Sequence, residues 1–231
     1  MKTPRDNELL AQLDDQAFAR LRPFFEIREY KRGELIYAAG ESVHHVYFPV
    51  GAVVGVQYEL DNGECGDVAI LDHKLCGPLN VIAGGTSITS AVVRHAGPIC
   101  RLPIGVFKAE IKRNDTLFNL VLWTFRNTIH QMSVASVCMR KHPIENLCAV
   151  WLLVSAEATR SSRLHVTHSD IAQSIGVRRE AVTMALKKYT SQGLIEQTRG
   201  HVHVVDKEGL QRWTCSCIFQ WYQSRASSPT P

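Results

Sequence analysis

The stretch Val166–Lys188, VTHSDIAQSIGVRREAVTMALKK, carries the pattern of two short helices joined by a tight turn. Thr167 followed three residues later by Asp170 is a capping box: the hydroxyl accepts from an orphan backbone N–H, while the carboxylate reaches back and favours the positive helix end. A helix is therefore predicted to start there. Ile171, Ala172 and Ile175 give it an apolar face, and Gly176 supplies the turn, because glycine enters the left-handed region without a Cβ penalty. In the second helix Val177, Val182, Ala185 and Leu186 point inward and Arg178, Arg179, Glu180, Thr183 and Lys187 outward. The small Ala172 opposite Val182 lets the two helices cross closely, as in a helix-turn-helix rather than an ordinary helical hairpin.

Working outward, Gly193 ends the second helix, and Leu194-Ile195 and HVHVV (201–205) read as two strands joined by a basic tip at Arg199-Gly200. A helix-turn-helix followed by such a hairpin is a winged helix. His201 and His203 share one strand face, with a phosphate contact or simple exposure as alternatives. Residues 210–222, with Trp213, Phe219, Trp221 and Tyr222, are expected to form a closing helix, and the SSPTP end to be disordered. Upstream, a helix over Ile144 to Ala158 follows Pro143, and its Leu147, Val150, Trp151 and Val154 are expected to floor this domain.

From Ile104 to Lys141 the pattern is helical. Phe118, Leu122, Phe125, Ile129, Met132, Ser136 and Met139 recur at alternating four and three spacing, a coiled-coil seam on which two copies of the chain can zip together. Leu117, Leu120, Val121 and Val134 occupy a flanking face, so one side is expected against the chain's own strands and another against a partner.

Between Lys31 and about Pro103 the texture changes to short Val, Ile and Tyr runs: LIY (35–37), VHHVYFPV (43–50), AVVGVQYEL (52–60), DVAIL (67–71) and ITSAVV (88–93), separated by glycines. These are antiparallel strands of a small barrel or jelly roll, with Asp61-Asn62-Gly63 the clearest hairpin turn. Residues 6–21 read as one or two short helices before Pro23.

The composition narrows the class. At 231 residues, 45% hydrophobic and 21% charged, two globular domains are expected. The net charge of +4 is unevenly placed: residues 1–159 hold 16 Lys and Arg against 17 Asp and Glu, residues 160–212 hold 9 against 5, and Arg225 adds one. A basic C-terminal part on a near-neutral remainder is an electrostatic footprint for nucleic acid. The charged N-terminus does not read as a signal peptide, and Leu75 to Val93, rich in Gly, Thr and Ser and containing Pro78, does not read as a membrane span, so a cytoplasmic protein is expected. Neither a Gly-rich phosphate loop before a helix nor a nucleophile elbow is present, and no enzymatic chemistry is expected.

Seven cysteines, an odd number, argue against a disulfide framework. Cys65, Cys76, Cys100, Cys138 and Cys148 lie among apolar residues as core hydrophobes would, and Cys215-x-Cys217 is half a metal site at best, so the spacing assigns no metal. His44 and His45 are adjacent and face opposite sides of a strand, while His73 and His95 are isolated, which does not make the ligand set of a barrel metalloenzyme.

Strands, long helix and winged helix in this order, with VYFP (46–49), GVRREAVT (176–183), GLI (193–195), RG (199–200) and the Gly209-Leu210 to Cys215-x-Cys217 tail, resemble the Crp/Fnr family of bacterial transcription regulators over nearly the full length. The resemblance implies an α+β fold: an N-terminal antiparallel β-roll of the cyclic-nucleotide-binding-like jelly-roll type, a long dimerisation helix and a C-terminal winged helix-turn-helix. The expected domains are an N-terminal helical and β-roll sensor over 1–110, the dimerisation helix over 111–142, the winged helix over 143–225 and a disordered tail over 226–231. Arg179-Glu180 coincides with the family's base-reading pair, arginine to guanine and glutamate to cytosine. Thr167, Ser169, Arg178, Thr183, Lys187, Lys188, Arg199 and His201 complete the expected DNA-binding set. Met184 stands where cAMP-responsive members carry another arginine, so their half-site does not transfer.

In the roll, the family's Gly-Glu-Leu and Arg-Ser elements fall on Gly77-Pro78-Leu79 and Thr89-Ser90, so the effector pocket is expected around Gly77, Leu79, Thr89 and Ser90 but without the two charged ligands of cAMP. No cysteine precedes Cys65, so the N-terminal iron–sulfur ligands are also missing. A haem with His44, His73 or Cys76 as axial ligand, and a regulator with no effector, both stay open. The resulting expectation is a homodimeric regulator of a near-palindromic duplex site, with RNA polymerase as a further partner. The alternative is a ligand-binding signalling adaptor that uses its winged helix to grip protein.

Overall fold

A computed structural model describes residues 2–72, 75–77, 82 and 84–217. Two compact units are formed, residues 2–59 with 68–128 and residues 60–67 with 129–217. The two units meet within the long helix, between Thr128 and Ile129. No helix among the described residues is long and apolar enough to cross a membrane.

The first unit begins with 3₁₀ turns and helix α1 (Asp15–Leu21), capped by the Asp14 carboxylate on the Ala17 N–H at 2.7 Å. Seven strands follow: β1 (Glu26–Tyr30), β2 (Leu35–Tyr37), β3 (His45–Pro49), β4 (Val53–Glu59), β5 (Cys65–Asp72), β6 (Ser90–His95) and β7 (Gly97–Pro103). They form two antiparallel sheets, β1-β7-β3 and β2-β6-β4-β5. Tyr30, Tyr47 and Ile99 of one sheet and Tyr37, Val54, Ala91 and Val93 of the other make the core between them. β3 is buried on both faces: Val46 and Phe48 turn to a second core with Leu10, Leu21, Phe107 and Leu117 from the helices. VYFP is therefore a continuous apolar run rather than an alternating one. A Cβ on Gly97 would lie 2.7 Å from the Gly51 backbone, so β7 and the start of β4 close on each other only through glycine.

β1 and β7 are absent from the sequence-based strand list. EIREY is exposed at four of five positions, and GPICRLP opens and closes with glycine and proline, so neither shows a strong apolar signal. The helical stretch after Pro103 divides into α2 (Ile104–Ile111) and α3 (Asp115–Lys141), with Asn114 capping the second through the Leu117 N–H at 2.8 Å.

Glu110, fully buried at the end of α2, is held by Arg20 and Arg113, each at 2.6 Å. Burial alone would raise its pKa, but the hydrogen bonds from the two guanidinium groups outweigh burial and hold the carboxyl below the ordinary glutamate range. A depressed folded pKa stabilises above the unfolded value of about 4.3 and is lost as pH falls through the folded one. Glu110→Gln should therefore cost about 1.5–3 kcal/mol at neutral pH, and its melting temperature should converge with that of the parent in acid. A difference that persists below pH 3 would contradict this account.

In the second unit α4 (Ile144–Ala158) is followed by β8 (Arg163–His165), α5 (His168–Ile175), α6 (Arg179–Ser191), β9 (Ile195–Thr198), β10 (His201–Val204) and α7 (Lys207–Gln211). The sheet order is β8-β10-β9. Ile171, Val182, Leu186, Tyr189, Ile195 and Val202 pack on Cys148, Ala149, Leu152 and Leu153 of α4. This corrects the expected floor: of the predicted four only Trp151 faces that core, while Leu147, Val150 and Val154 turn to Cys138 of α3 and Cys215. Seven of the fifteen residues of α4 are buried, so the helix is apolar around most of its circumference and a single stripe does not define its partner. The expected closing helix over 210–222 is not continuous: a five-residue helix, Lys207–Gln211, is followed by non-helical residues 212–215, and Phe219, Trp221, Tyr222 and the 226–231 tail lie outside the described residues.

Candidate nucleic-acid interface

Thr167 accepts from the Asp170 N–H at 3.2 Å, and Asp170 accepts from the Thr167 N–H at 2.6 Å, so the predicted capping box starts α5. Gly176 ends it with φ 68°, in the left-handed conformation anticipated from sequence. The chain then re-enters a helix at Arg179, whose first turn presents Arg178, Arg179 and Glu180 to solvent. Among the described residues, none pairs with the side chains of Arg178, Arg179, Glu180 or Lys187. Met184, one turn further on the same exposed side, is 59% accessible.

Thr167, Ser169, Arg179, Arg199 and His201, drawn from the start of α5, the start of α6 and the wing, line one concave surface. The wing turns on Arg199-Gly200 between paired Thr198 and His201, with Gly200 at φ 78°. The His201 ring lies 4.6 Å from that of His165. Helix-start N–H groups and basic side chains on one concavity are the elements that receive a phosphate backbone.

Three expected contacts have other engagements, among them Thr183, whose hydroxyl donates to the Arg179 carbonyl at 3.0 Å and meets His168 Nδ1 at 2.9 Å. The Thr167 hydroxyl is absorbed by its own cap, donating to Asp170 at 2.5 Å. Lys188 forms an ion pair with Glu145 at the start of α4, and that hydrogen bond is the main reason the Glu145 carboxyl is held below its ordinary range. Lys188 therefore braces α6 on its floor, as does Tyr189, whose hydroxyl donates to the Glu145 carbonyl.

One residue that sequence reasoning missed ties the surface together. His168 meets Thr183 of α6 through Nδ1 at 2.9 Å and Gln197 of the wing through Nε2 at 2.7 Å. Gln197 in turn donates from Nε2 to the Thr190 hydroxyl at 2.7 Å, which leaves its carbonyl oxygen to accept from the imidazole. These partners are 15 and 29 residues away, and no local pattern announces them.

The seam residues of α3 lie outward on the chain by itself: Phe118, Leu122, Ile129, Met132 and Met139 are exposed, with Ile129 at 63%, and Phe125 is half-buried. Ser136 accepts from Arg140 at 3.2 Å. Leu117, Leu120 and Val121 face the chain's own core, as the flanking stripe required.

In the β-roll, the Tyr37 hydroxyl lies 3.4 Å from the Cys76 sulfur and also bonds Thr89, so part of the expected effector pocket is a buried polar cluster. Ser90 Oγ accepts from the Ala39 N–H at 2.9 Å, and Gly77 is buried at φ 90°. Cys76 is fully enclosed and burial pushes its thiol up to about 12. His44 is exposed, and Leu79 and His73 lie outside the described residues.

A winged helix-turn-helix with a free arginine-glutamate pair at its second helix, behind a β-roll and a long apolar helix, defines a DNA-binding regulator fold. Residues 148–213 match the Crp-like helix-turn-helix domain family. The chain is similar in structure to a protein from Eubacterium rectale assigned to the Crp/Fnr family of transcriptional regulators, with 16% identity over 90% of this chain and 98% of that one and a TM-score of 0.72. It is also similar to FixK2 from Bradyrhizobium japonicum, with 15% identity, 83% and 98% coverage and a TM-score of 0.71. A third similar structure is the c-di-GMP-responsive global regulator CLP of Xanthomonas campestris, with 13% identity, 83% and 99% coverage and a TM-score of 0.69. No curated protein sequence matches the chain. The C-terminal unit is a Crp-like helix-turn-helix domain, and the chain has the fold of the Crp/Fnr regulators.

Proposed function

We propose that the chain is a homodimeric, sequence-specific DNA-binding transcription regulator whose β-roll does not bind cAMP. The observation that carries this reading is the exposed Arg179-Glu180 pair at the first turn of α6, beside the wing and the start of α5 on one concave surface. An N-terminal turn of a recognition helix is the part that enters the major groove, and its guanidinium can bridge guanine O6 and N7. The exposed apolar seam of α3 supports a two-fold dimer, which would set two such surfaces about 34–36 Å apart on a near-palindrome. RNA polymerase and a cytoplasmic setting follow from the same reading.

The case against cAMP rests on charge. A buried phosphate requires a cationic partner, and the motif positions hold Thr89 and Ser90, whose surroundings are the Tyr37 hydroxyl and the Ala39 amide. Selection of duplexes from a random pool by the purified protein, without added ligand, is expected to enrich a two-fold symmetric site. An unchanged pool, without ligand, with cAMP and with haem-reconstituted protein, would remove the DNA-reading assignment in favour of a protein-binding winged helix. Enrichment only with cAMP would overturn the ligand assignment.

A further inference from the structure

We propose that Cys138, His142, Cys215 and Cys217 form a structural zinc site that fastens the segment after α7 to the end of α3. Cys138 lies in the last turn of α3 and His142 is the residue just past its end, with the His142 N–H donating to the Cys138 carbonyl at 2.9 Å, so the two side chains, four apart, project from one face. Cys215 and Cys217 follow α7, and that segment is held on α4 and the end of α6 by contacts of its own, Asn146 donating to the Trp213 carbonyl at 2.7 Å and Trp213 to Gln192 at 3.1 Å, while Cys215 shares a buried cluster with Cys138 of α3. The four candidate donor atoms all lie within 4.8 Å of one another.

Two of the donor separations are those of a coordination tetrahedron, and the others stay within 4.8 Å. With Zn–S of about 2.3 Å and Zn–N of about 2.0–2.1 Å, tetrahedral angles put two sulfurs about 3.8 Å apart and a sulfur and a nitrogen about 3.6 Å apart. The Cys138 and Cys215 sulfurs are 3.9 Å apart, and Cys217 Sγ is 3.7 Å from His142 Nε2. A disulfide requires about 2.05 Å, and all seven cysteines are free.

Ordinary core packing does not account for this convergence. Cys100 and Cys148 each sit singly in a hydrophobic core cluster, and Cys76 meets a tyrosine hydroxyl but no second thiol or imidazole. Here two buried thiols, an exposed thiol and a half-buried imidazole converge around one point. Three thiolates and an imidazole favour a soft or borderline cation over magnesium or calcium. Four protein ligands also close the coordination sphere, as in structural rather than catalytic zinc sites. The ligands come from chain segments more than seventy residues apart, so the bound ion would close a long loop within the second unit.

This inference is independent of the DNA-reading assignment. Full-length protein, produced with zinc in the medium and purified under reducing conditions without chelator, is expected to contain about one zinc per chain by elemental analysis. Cobalt added to metal-stripped protein should give the visible bands of tetrahedral thiolate coordination. Cys217→Ser and His142→Ala, both at accessible positions, should lower zinc affinity at least tenfold while far-ultraviolet circular dichroism stays that of a folded protein. Metal removal should lower the unfolding temperature of the parent and leave that of the variants nearly unchanged. Protein lacking zinc, with cobalt in the octahedral spectrum of the free ion, would overturn the site. So would a Cys138–Cys215 disulfide formed without metal, or zinc retained in full by both variants.

Discussion

Replacing Leu122 and Ile129 together by glutamate is expected to leave the protein folded but monomeric, with binding to a two-half-site duplex weakened at least about a hundredfold, the lower end of what linking two sites contributes. Both side chains are exposed on the single chain, so neither core loses packing, and glutamate is a good helix former. Four carboxylates would face one another across a two-fold seam that otherwise buries leucine and isoleucine. Sedimentation equilibrium measures the mass and circular dichroism the helix content. A variant that remains a dimer would place the interface elsewhere than on this face of α3.

Arg179→Ala is expected to abolish discrimination at one base pair per half-site, about 1–3 kcal/mol each and additive over two. Arg199→Ala at the wing tip should instead weaken all sequences alike and reduce the salt dependence, since a phosphate contact carries no base information. Competition binding with single-base variants of the selected site separates the two effects. Unaltered base preference in Arg179→Ala would exclude α6 as the reading helix in the proposed orientation. Lys188→Ala, given the Glu145 pair, should act mainly on the stability of the second unit.

The recognition unit was legible because its signals are local. The Thr167–Asp170 box, Gly176 and the inward Val182, Ala185 and Leu186 all act within one or two turns, and each recurs in the fold. The two-sided burial of β3 left its mark as an unbroken apolar run. Long-range choices left weaker marks. β8 is only three residues long and is defined by pairing with β10, and the partners of Leu147 and Val150 depend on where α3 packs. Cys138 and His142 show helical spacing, but their meeting with Cys215 and Cys217 is set by the path of the chain after α7. His168 reads as a helix-start polar residue until Gln197 is placed beside it.

That histidine bridge has a thermodynamic consequence. Association with a ligand usually includes the entropy of ordering loops and side chains at the contact, about 0.5–1.5 kcal/mol for each rotamer-rich group immobilised. His168, Gln197, Thr183 and Thr190 already connect the wing to the recognition helix in the free protein. Much of that ordering is therefore done before any duplex arrives, and helix and wing can dock as one preformed body. On the proposed reading, affinity then depends in part on His168, Gln197 and Thr190, side chains outside the expected set of duplex contacts.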